Sequence, residues 1–245
     1  MLDGATSWLR DPADPRDGGW YSRILGGALT ARLPAPGDSL AAVLADAIAE
    51  VRDVHALRPG DSPYSTASIV RWTGDRIDVL VLGDSPAVVR PVTGSVAVVA
   101  DERLSTTAAA ERAAYRLHLA AGAGFDDAFG QLMAAVQREE RAGFNRPGGF
   151  WVAEADPTAA AQAITRSWPT DGIRAVALLS DGASAAVTDY GVVDWPGLIE
   201  ELTERGTGAW LARLHAIEET DPAGRRWPRT KRHDDKSVAL LTRLP

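Results

Sequence analysis

At 245 residues, 45% apolar and 24% charged, the chain is long enough to bury a large core and has the composition of a globular protein. Its 33 acidic against 26 basic residues leave a net charge of −7, which argues against nucleic-acid binding, and no apolar run reaches the roughly 20 residues that span a bilayer. Without cysteine there are no disulfides, thiolate metal sites or cysteine nucleophiles. The N-terminus lacks a basic segment followed by an apolar one, so the expected location is the cytoplasm.

Residues 5–18, rich in Asp, Pro and Gly, read as an irregular loop. A helix is predicted from Trp20 to Arg32, with Ile24, Leu25, Ala28 and Leu29 on one face, ended by Pro34 and Pro36. A second starts at a cap on Asp38 or Ser39 and carries Leu40, Val43, Leu44, Ala47, Ile48 and Val51 at helical spacing. Short β-branched segments follow: Ser65 to Trp72, Asp75 to Leu82, Ala87 to Pro91 and Ser95 to Ala100. Their connections are too short for crossover helices, so an antiparallel meander is expected. Helices return over Ser105 to Ala121 and Asp126 to Arg141. Strands follow at Phe150 to Ala155, Gln162 to Trp168 and Ile173 to Leu179. A helical pair over Trp195 to Glu204 and Gly208 to Glu219 precedes a closing strand, Ser237 to Thr242. With no internal repeat or long linker, the pattern predicts one α+β domain over residues 1–245, with sheets packed on each other and helices outside.

Four acidic turns stand at the ends of these segments: Asp3-Gly4, Gly83-Asp84-Ser85, Ser180-Asp181-Gly182 and Asp234-Asp235. The strongest closes the apolar strand Ala175 to Leu179, which delivers a carboxylate and then a glycine to a sheet edge. Mg²⁺ and Mn²⁺ take oxygen ligands, and a glycine lets backbone approach an ion closely. Any one of these is by itself a turn; together they point to a carboxylate-lined metal site.

In sequence order, Leu2-Asp3-Gly4, Ser65-Thr66-Ala67-Ser68, Leu82-Gly83-Asp84-Ser85-Pro86-Ala87-Val88-Val89, Leu178-Leu179-Ser180-Asp181-Gly182 and Asp234-Asp235-Lys236-Ser237-Val238-Ala239-Leu240 resemble the motifs of the metal-dependent protein phosphatases of type 2C. The resemblance spans essentially the whole chain. It implies a four-layer α-β-β-α sandwich, two antiparallel sheets flanked by helices, with a centre of two Mg²⁺ or Mn²⁺ ions at one end. Asp3 would bridge the ions, the Gly4 carbonyl would bind one, and Asp181 and Asp234 would hold the other. Asp84 matches a position that helps bind a looser third ion; its alternative is to stabilise a hairpin turn. Asp3 and Asp181 thereby carry the reaction, hydrolysis of phosphoserine or phosphothreonine in a phosphorylated protein by water activated at two metals.

Two departures accompany the resemblance. Family members usually have a strand before Asp-Gly, bearing a metal-coordinating acid and often a phosphate-binding arginine, whereas this chain begins Met1-Leu2-Asp3; a start further upstream is the expectation. Many members also place a histidine after Asp-Gly as general acid, where this chain has Ala5. Losing such a group costs about 10²–10⁴-fold in rate. These departures motivate the alternative of a non-catalytic, phosphatase-like binding or regulatory module.

Arg146, in Asn145-Arg146-Pro147-Gly148-Gly149-Phe150-Trp151, is a candidate substrate contact that could grip a phosphate bidentately; otherwise this stretch is a loop feeding Phe150 and Trp151 into the core. The basic run from Arg225 to Arg232 is a solvated loop or a patch attracting an acidic ligand. His233 reads as a loop residue or a replacement proton donor, and His55, His118 and His215 receive no role. Ser65 and Thr66 have no readable histidine-carboxylate partner and are not nucleophiles.

Overall fold

A computed structural model describes residues 1–8, 15–33 and 37–242. Of the loop expected over 5–18, residues 9–14 lie outside the described residues, as do the expected helix stops Pro34 and Pro36. The described helices are α1 (Gly18–Arg32), α2 (Leu40–His55), α3 (Ala109–Ala120), α4 (Asp127–Gly143), α5 (Asp181–Thr188), α6 (Trp195–Arg205) and α7 (Thr207–Glu219). The strands are β1 (Ala67–Trp72), β2 (Arg76–Leu82), β3 (Ala87–Pro91), β4 (Ala97–Val99), β5 (Ile164–Pro169), β6 (Ile173–Leu179) and β7 (Val238–Thr242).

The helices begin where side chains can take up free backbone donors. Asp17 accepts from Trp20 N to start α1, Ser39 from Ala42 N to start α2, and Asp126 from Phe129 N to start α4. Helix α2 then buries Leu40, Val43, Leu44, Ala47, Ile48 and Val51, the stripe expected from its spacing.

Two antiparallel sheets form, one ordered β1-β2-β5 and the other β4-β3-β6-β7. Strand β2 shows why they stack. Ile77, Val79 and Val81 join Val89, Val176 and Leu178 in a core between the sheets. Leu80 and Leu82, on the opposite face, pack with Leu25, Leu44 and Ile48 of α1 and α2. On the second sheet, Ala175, Ala177 and Leu179 turn outward onto Leu198, Leu202, Trp210 and Leu214 of α6 and α7. The result is a four-layer α-β-β-α sandwich, and α3 with α4 adds a helical hairpin around Tyr115, Leu119, Phe129 and Met133.

The expected meander is corrected here. β1-β2 and β3-β4 are hairpins in different sheets, and Gly83 to Pro86 carries the chain across from one sheet to the other. A short connection between antiparallel segments serves a hairpin or a corner equally well. β2 is apolar on both faces and takes a second neighbour, β5. The strand expected over Phe150 to Ala155 is also absent: only single bridges form, Phe144 with Phe150 and Ser65 with Ala153. Side chains intercept this backbone, since Asn145 Oδ1 accepts from Val152 N at 2.9 Å and Glu154 Oε2 from Ala155 N at 2.7 Å.

Residues 1–5 run antiparallel to 64–68. Ser68 N donates to the Met1 carbonyl, Thr66 N to that of Asp3, and Ala5 N to that of Tyr64, at 2.9, 2.9 and 3.1 Å. Asp3 therefore lies in a paired segment beside the start of β1.

Candidate metal centre

Four chain segments meet at one end of the sandwich, and each holds an aspartate by a specific device. Thr66 ties two of them. Its N–H donates to the Asp3 carbonyl at 2.9 Å, and its hydroxyl lies 2.6 Å from that of Ser85, next to Asp84. Gly83 sits at φ +82°, a conformation L side chains rarely adopt, and a Cβ there would lie 3.0 Å from Thr66 Cγ2, tighter than ordinary van der Waals contact. The Asp84 corner thus presses directly on Thr66, which gives the Ser65-Thr66 segment a positioning role that its sequence did not disclose.

The other two aspartates are tied by Ser180. Its N–H donates to the Ser237 carbonyl at 3.0 Å, and its hydroxyl accepts from Ser237 N at 3.1 Å while capping α5 at Ala183 N. Asp181 is then the first residue of α5, a helix not expected from the sequence although Ser180 and the run Ala183-Ser184-Ala185-Ala186 were its signal. The following glycine has a packing reason as well: a Cβ on Gly182 would lie 2.5 Å from the Asp235 carbonyl oxygen and 3.0 Å from Asp234 Cβ. Gly4 is similarly confined: a Cβ there would lie 2.2 Å from Gly18 O at the start of α1.

The structure thus brings Asp3, Gly4, Asp84, Asp181 and Asp234 to one cleft. Asp234, not Asp235, faces it: the Asp235 side chain is 95% exposed against 18% for Asp234. Arg146 is not brought there; it is exposed on the 145–149 turn and lines neither part of the cleft. The cleft has a larger part of about 540 Å³, walled partly by Tyr115, Tyr190 and Trp195, and a smaller one of about 160 Å³ reaching Asp3, Gly4 and Ala5. Among the described residues, two cations line both parts, Arg112 of α3 and Lys231. Arg112 was not singled out from the sequence, being a lone basic residue until the fold sets it among the carboxylates, whereas Lys231 belongs to the basic run from Arg225 to Arg232 read as a solvated loop or a patch attracting an acidic ligand.

The electrostatics are those of crowded negative charge. Burial first, then the Asp181 charge and its shared hydrogen bond, push the Asp3 carboxyl up to about 8. Burial and Asp181 push Asp84 up to about 7, and burial with the Asp234 charge raises Asp181. Lys231 Nζ sits 2.5 Å from Asp234 Oδ1; burial works against its charge, but Asp234 outweighs it and holds the ammonium above its ordinary pKa. Arg112 is already committed, donating to Glu140 Oε1 at 2.6 Å and to the Thr107 carbonyl at 3.1 Å. Among the described residues, with Arg112 and Glu140 paired to each other, the carboxyls of Asp3, Asp84, Asp181 and Asp234 outnumber the Lys231 ammonium and make an oxygen-only donor set of the kind Mg²⁺ and Mn²⁺ take.

The fold is that of the type 2C serine/threonine phosphatases. A crystal structure of a bacterial serine phosphatase superimposes with a TM-score of 0.53 at 13% identity, over 98% of this chain and 83% of that one. Serine/threonine phosphatase Stp1 from Staphylococcus aureus gives 0.51 at 12% identity, over 100% and 94%. PppA, described as a key regulatory component of T6SS in Pseudomonas aeruginosa, gives 0.51 at 15%, over 98% and 82%. No protein-family model and no curated protein matches the sequence. At these identities the likeness carries the fold.

Proposed function

We propose that the chain, acting as one domain in the cytoplasm, is a Mg²⁺- or Mn²⁺-dependent phosphatase that hydrolyses phosphoserine and phosphothreonine in a protein substrate. The observation that carries this reading is the convergence of Asp3, Asp84, Asp181 and Asp234 from four separate segments into one cleft of a type 2C fold. In this reading Asp3, the Gly4 carbonyl, Asp181 and Asp234 would hold two ions, and Asp84 would help hold a third. Bound there, such ions activate water and polarise the phosphoryl group.

The chain's own groups do the rest. Thr66 ties the segments carrying Asp3 and Asp84, and Ser180 those carrying Asp181 and Asp234, which restrains the four carboxylates before a substrate arrives. Arg112 and Lys231 set positive charge along both parts of the cleft, where a phosphate dianion would lie. Tyr115, Tyr190 and Trp195 offer apolar walls to the residues flanking a phosphoserine. Arg146, exposed outside the cleft, is left to contact a more distant part of the substrate.

A second reading, a phosphatase-like binding module, draws on the Lys231 ammonium that already neutralises Asp234, and on Ala5 at the cleft wall. Hydrolysis of an aryl phosphate with Mn²⁺ separates the two. Phosphate release that disappears in Asp181→Ala and on chelation is expected for the enzyme. A folded wild type that binds Mn²⁺ in a calorimeter without turnover points to the module.

A further inference from the structure

Away from the carboxylate cleft, α7 and the loop leading to β7 bring together a different kind of donor set. His215 and Glu218 stand three residues apart on α7, on one face of the helix, and His233 arrives from the loop. One ligand atom from each of the three lies within 4.8 Å of the others, and the two imidazole rings are 4.5 Å apart, tilted by 36°. A second carboxylate, Glu219 Oε1, is 2.8 Å from His233 Nε2. We propose that His215, Glu218 and His233 form a binding site for a transition-metal ion of the Zn²⁺ class, distinct from the oxygen-only cleft.

The donor chemistry selects the ion. Two imidazoles and one carboxylate suit Zn²⁺, whose sites are commonly built from three such protein ligands and a water, whereas Mg²⁺ and Mn²⁺ favour oxygen. Burial favours a defined site over a surface cluster: the Glu218 side chain is 1% exposed and His233 27% exposed, while His215 opens the site to solvent. The carboxylate is also held in place by groups that would orient it around an ion. Tyr190 Oη donates to Glu218 Oε1 at 3.2 Å, and Lys236 Nζ to Oε2 at 2.8 Å. Each carboxylate oxygen has a further lone pair for the metal. His233 Nδ1 lies 2.8 Å from Glu218 Oε2, and a metal would take the place of the proton between them.

The site would act on the loop. Lys236, which holds the Glu218 carboxylate, also donates to the Asp234 carbonyl at 3.0 Å, so one proposed ligand, His233, and this lysine flank the aspartate that faces the cleft. An ion between α7 and His233 would tie the loop to α7 immediately before Asp234.

The test is calorimetric titration of the full chain, stripped with chelator, with Zn²⁺ and separately with Mn²⁺, in wild type, His215→Ala and Asp181→Asn. His215 is exposed and its ring contact is with His233, so its removal leaves the core untouched. The expected result is a Zn²⁺ equivalent retained in Asp181→Asn and weakened at least tenfold in His215→Ala, with Mn²⁺ binding the same in His215→Ala as in wild type. Co²⁺ substituted at the site should show visible absorption bands of a nitrogen-ligated ion that vanish in His215→Ala. Zn²⁺ binding that is unchanged in His215→Ala, or absent from the wild type, overturns the proposal whatever the cleft does with Mn²⁺.

Discussion

Lys231 lays its ammonium 2.5 Å from the carboxylate of Asp234, inside the group of aspartates that also includes Asp3, Asp84 and Asp181. The pair is partly buried, with side chains 26% and 18% exposed, so it is only weakly screened by solvent. A divalent ion entering between Asp181 and Asp234 meets a positive charge already in place. Lys231→Met should therefore tighten Mn²⁺ binding about tenfold, roughly 1.4 kcal/mol, measured by calorimetry. Unchanged affinity would mean that the ammonium swings aside at no cost.

The raised carboxyls give the metal-free chain a pH dependence of definite sign. Asp3 is raised from 3.8 to about 8 and Asp84 from 3.8 to about 7, so the folded chain keeps protons that the unfolded chain has released. Stability contributed by these groups is fully present below the unfolded value and is lost as pH rises through 7 and 8. With chelator present, the melting temperature should fall between pH 5 and pH 8 by more than it does with Mn²⁺, whose positive charge offsets the repulsion among the ionised carboxylates. Melting curves whose separation stays constant over that range would contradict the assignment of these aspartates to a metal site.

Gly182 tests the geometry that joins Asp181 to Asp234. A Cβ at this position meets the Asp235 carbonyl at 2.5 Å, a backbone atom that cannot rotate away. Gly182→Ala should cost about 1–3 kcal/mol in denaturant unfolding and weaken Mn²⁺ binding by displacing the 234–235 segment. Gly27, where nothing lies within 4 Å of an added Cβ, supplies the control: Gly27→Ala should leave both measurements unchanged or slightly improved.

Arg112 has a structural partner as well as a place in the cleft. Burial raises the Glu140 carboxyl while Arg112 pulls it back, and the two side chains are 15% and 12% exposed. Arg112→Met strands the carboxylate and should destabilise the fold by about 3 kcal/mol, whereas Arg112→Met with Glu140→Gln should recover most of that loss. If the stable double variant also shows a higher KM for an aryl phosphate at little change in kcat, the guanidinium binds phosphate; an unaltered KM assigns it to the helix pair alone.

Much of the molecule is legible in local sequence because local rules act there. The stripe of α2, its Ser39 cap and the apolar run of β6 follow from periodicity and capping. The acidic turns announce a carboxylate site, since Asp-Gly and Asp-Asp at strand ends are unusual enough to count together. The resemblance points to Asp234 rather than Asp235 as the ligand, and in the structure Asp234 lines the cleft while the Asp235 side chain is 95% exposed. The limit of local rules shows in the expected meander, because the Gly83 to Pro86 turn serves a hairpin or a corner equally until β5 claims the free edge of β2. Arg112 and the His215-Glu218-His233 group owe their surroundings to contacts between distant segments, and a lone charged or imidazole side chain carries no periodic signal of its neighbours; the basic run around Lys231 is visible in sequence, but its pairing with Asp234 in the cleft is not. Local propensity and hydrophobic period therefore determined most of the elements and pointed to a carboxylate site; the stacking of two sheets, which brings the segments of Asp3, Asp84, Asp181 and Asp234 to one place, decided which charges meet.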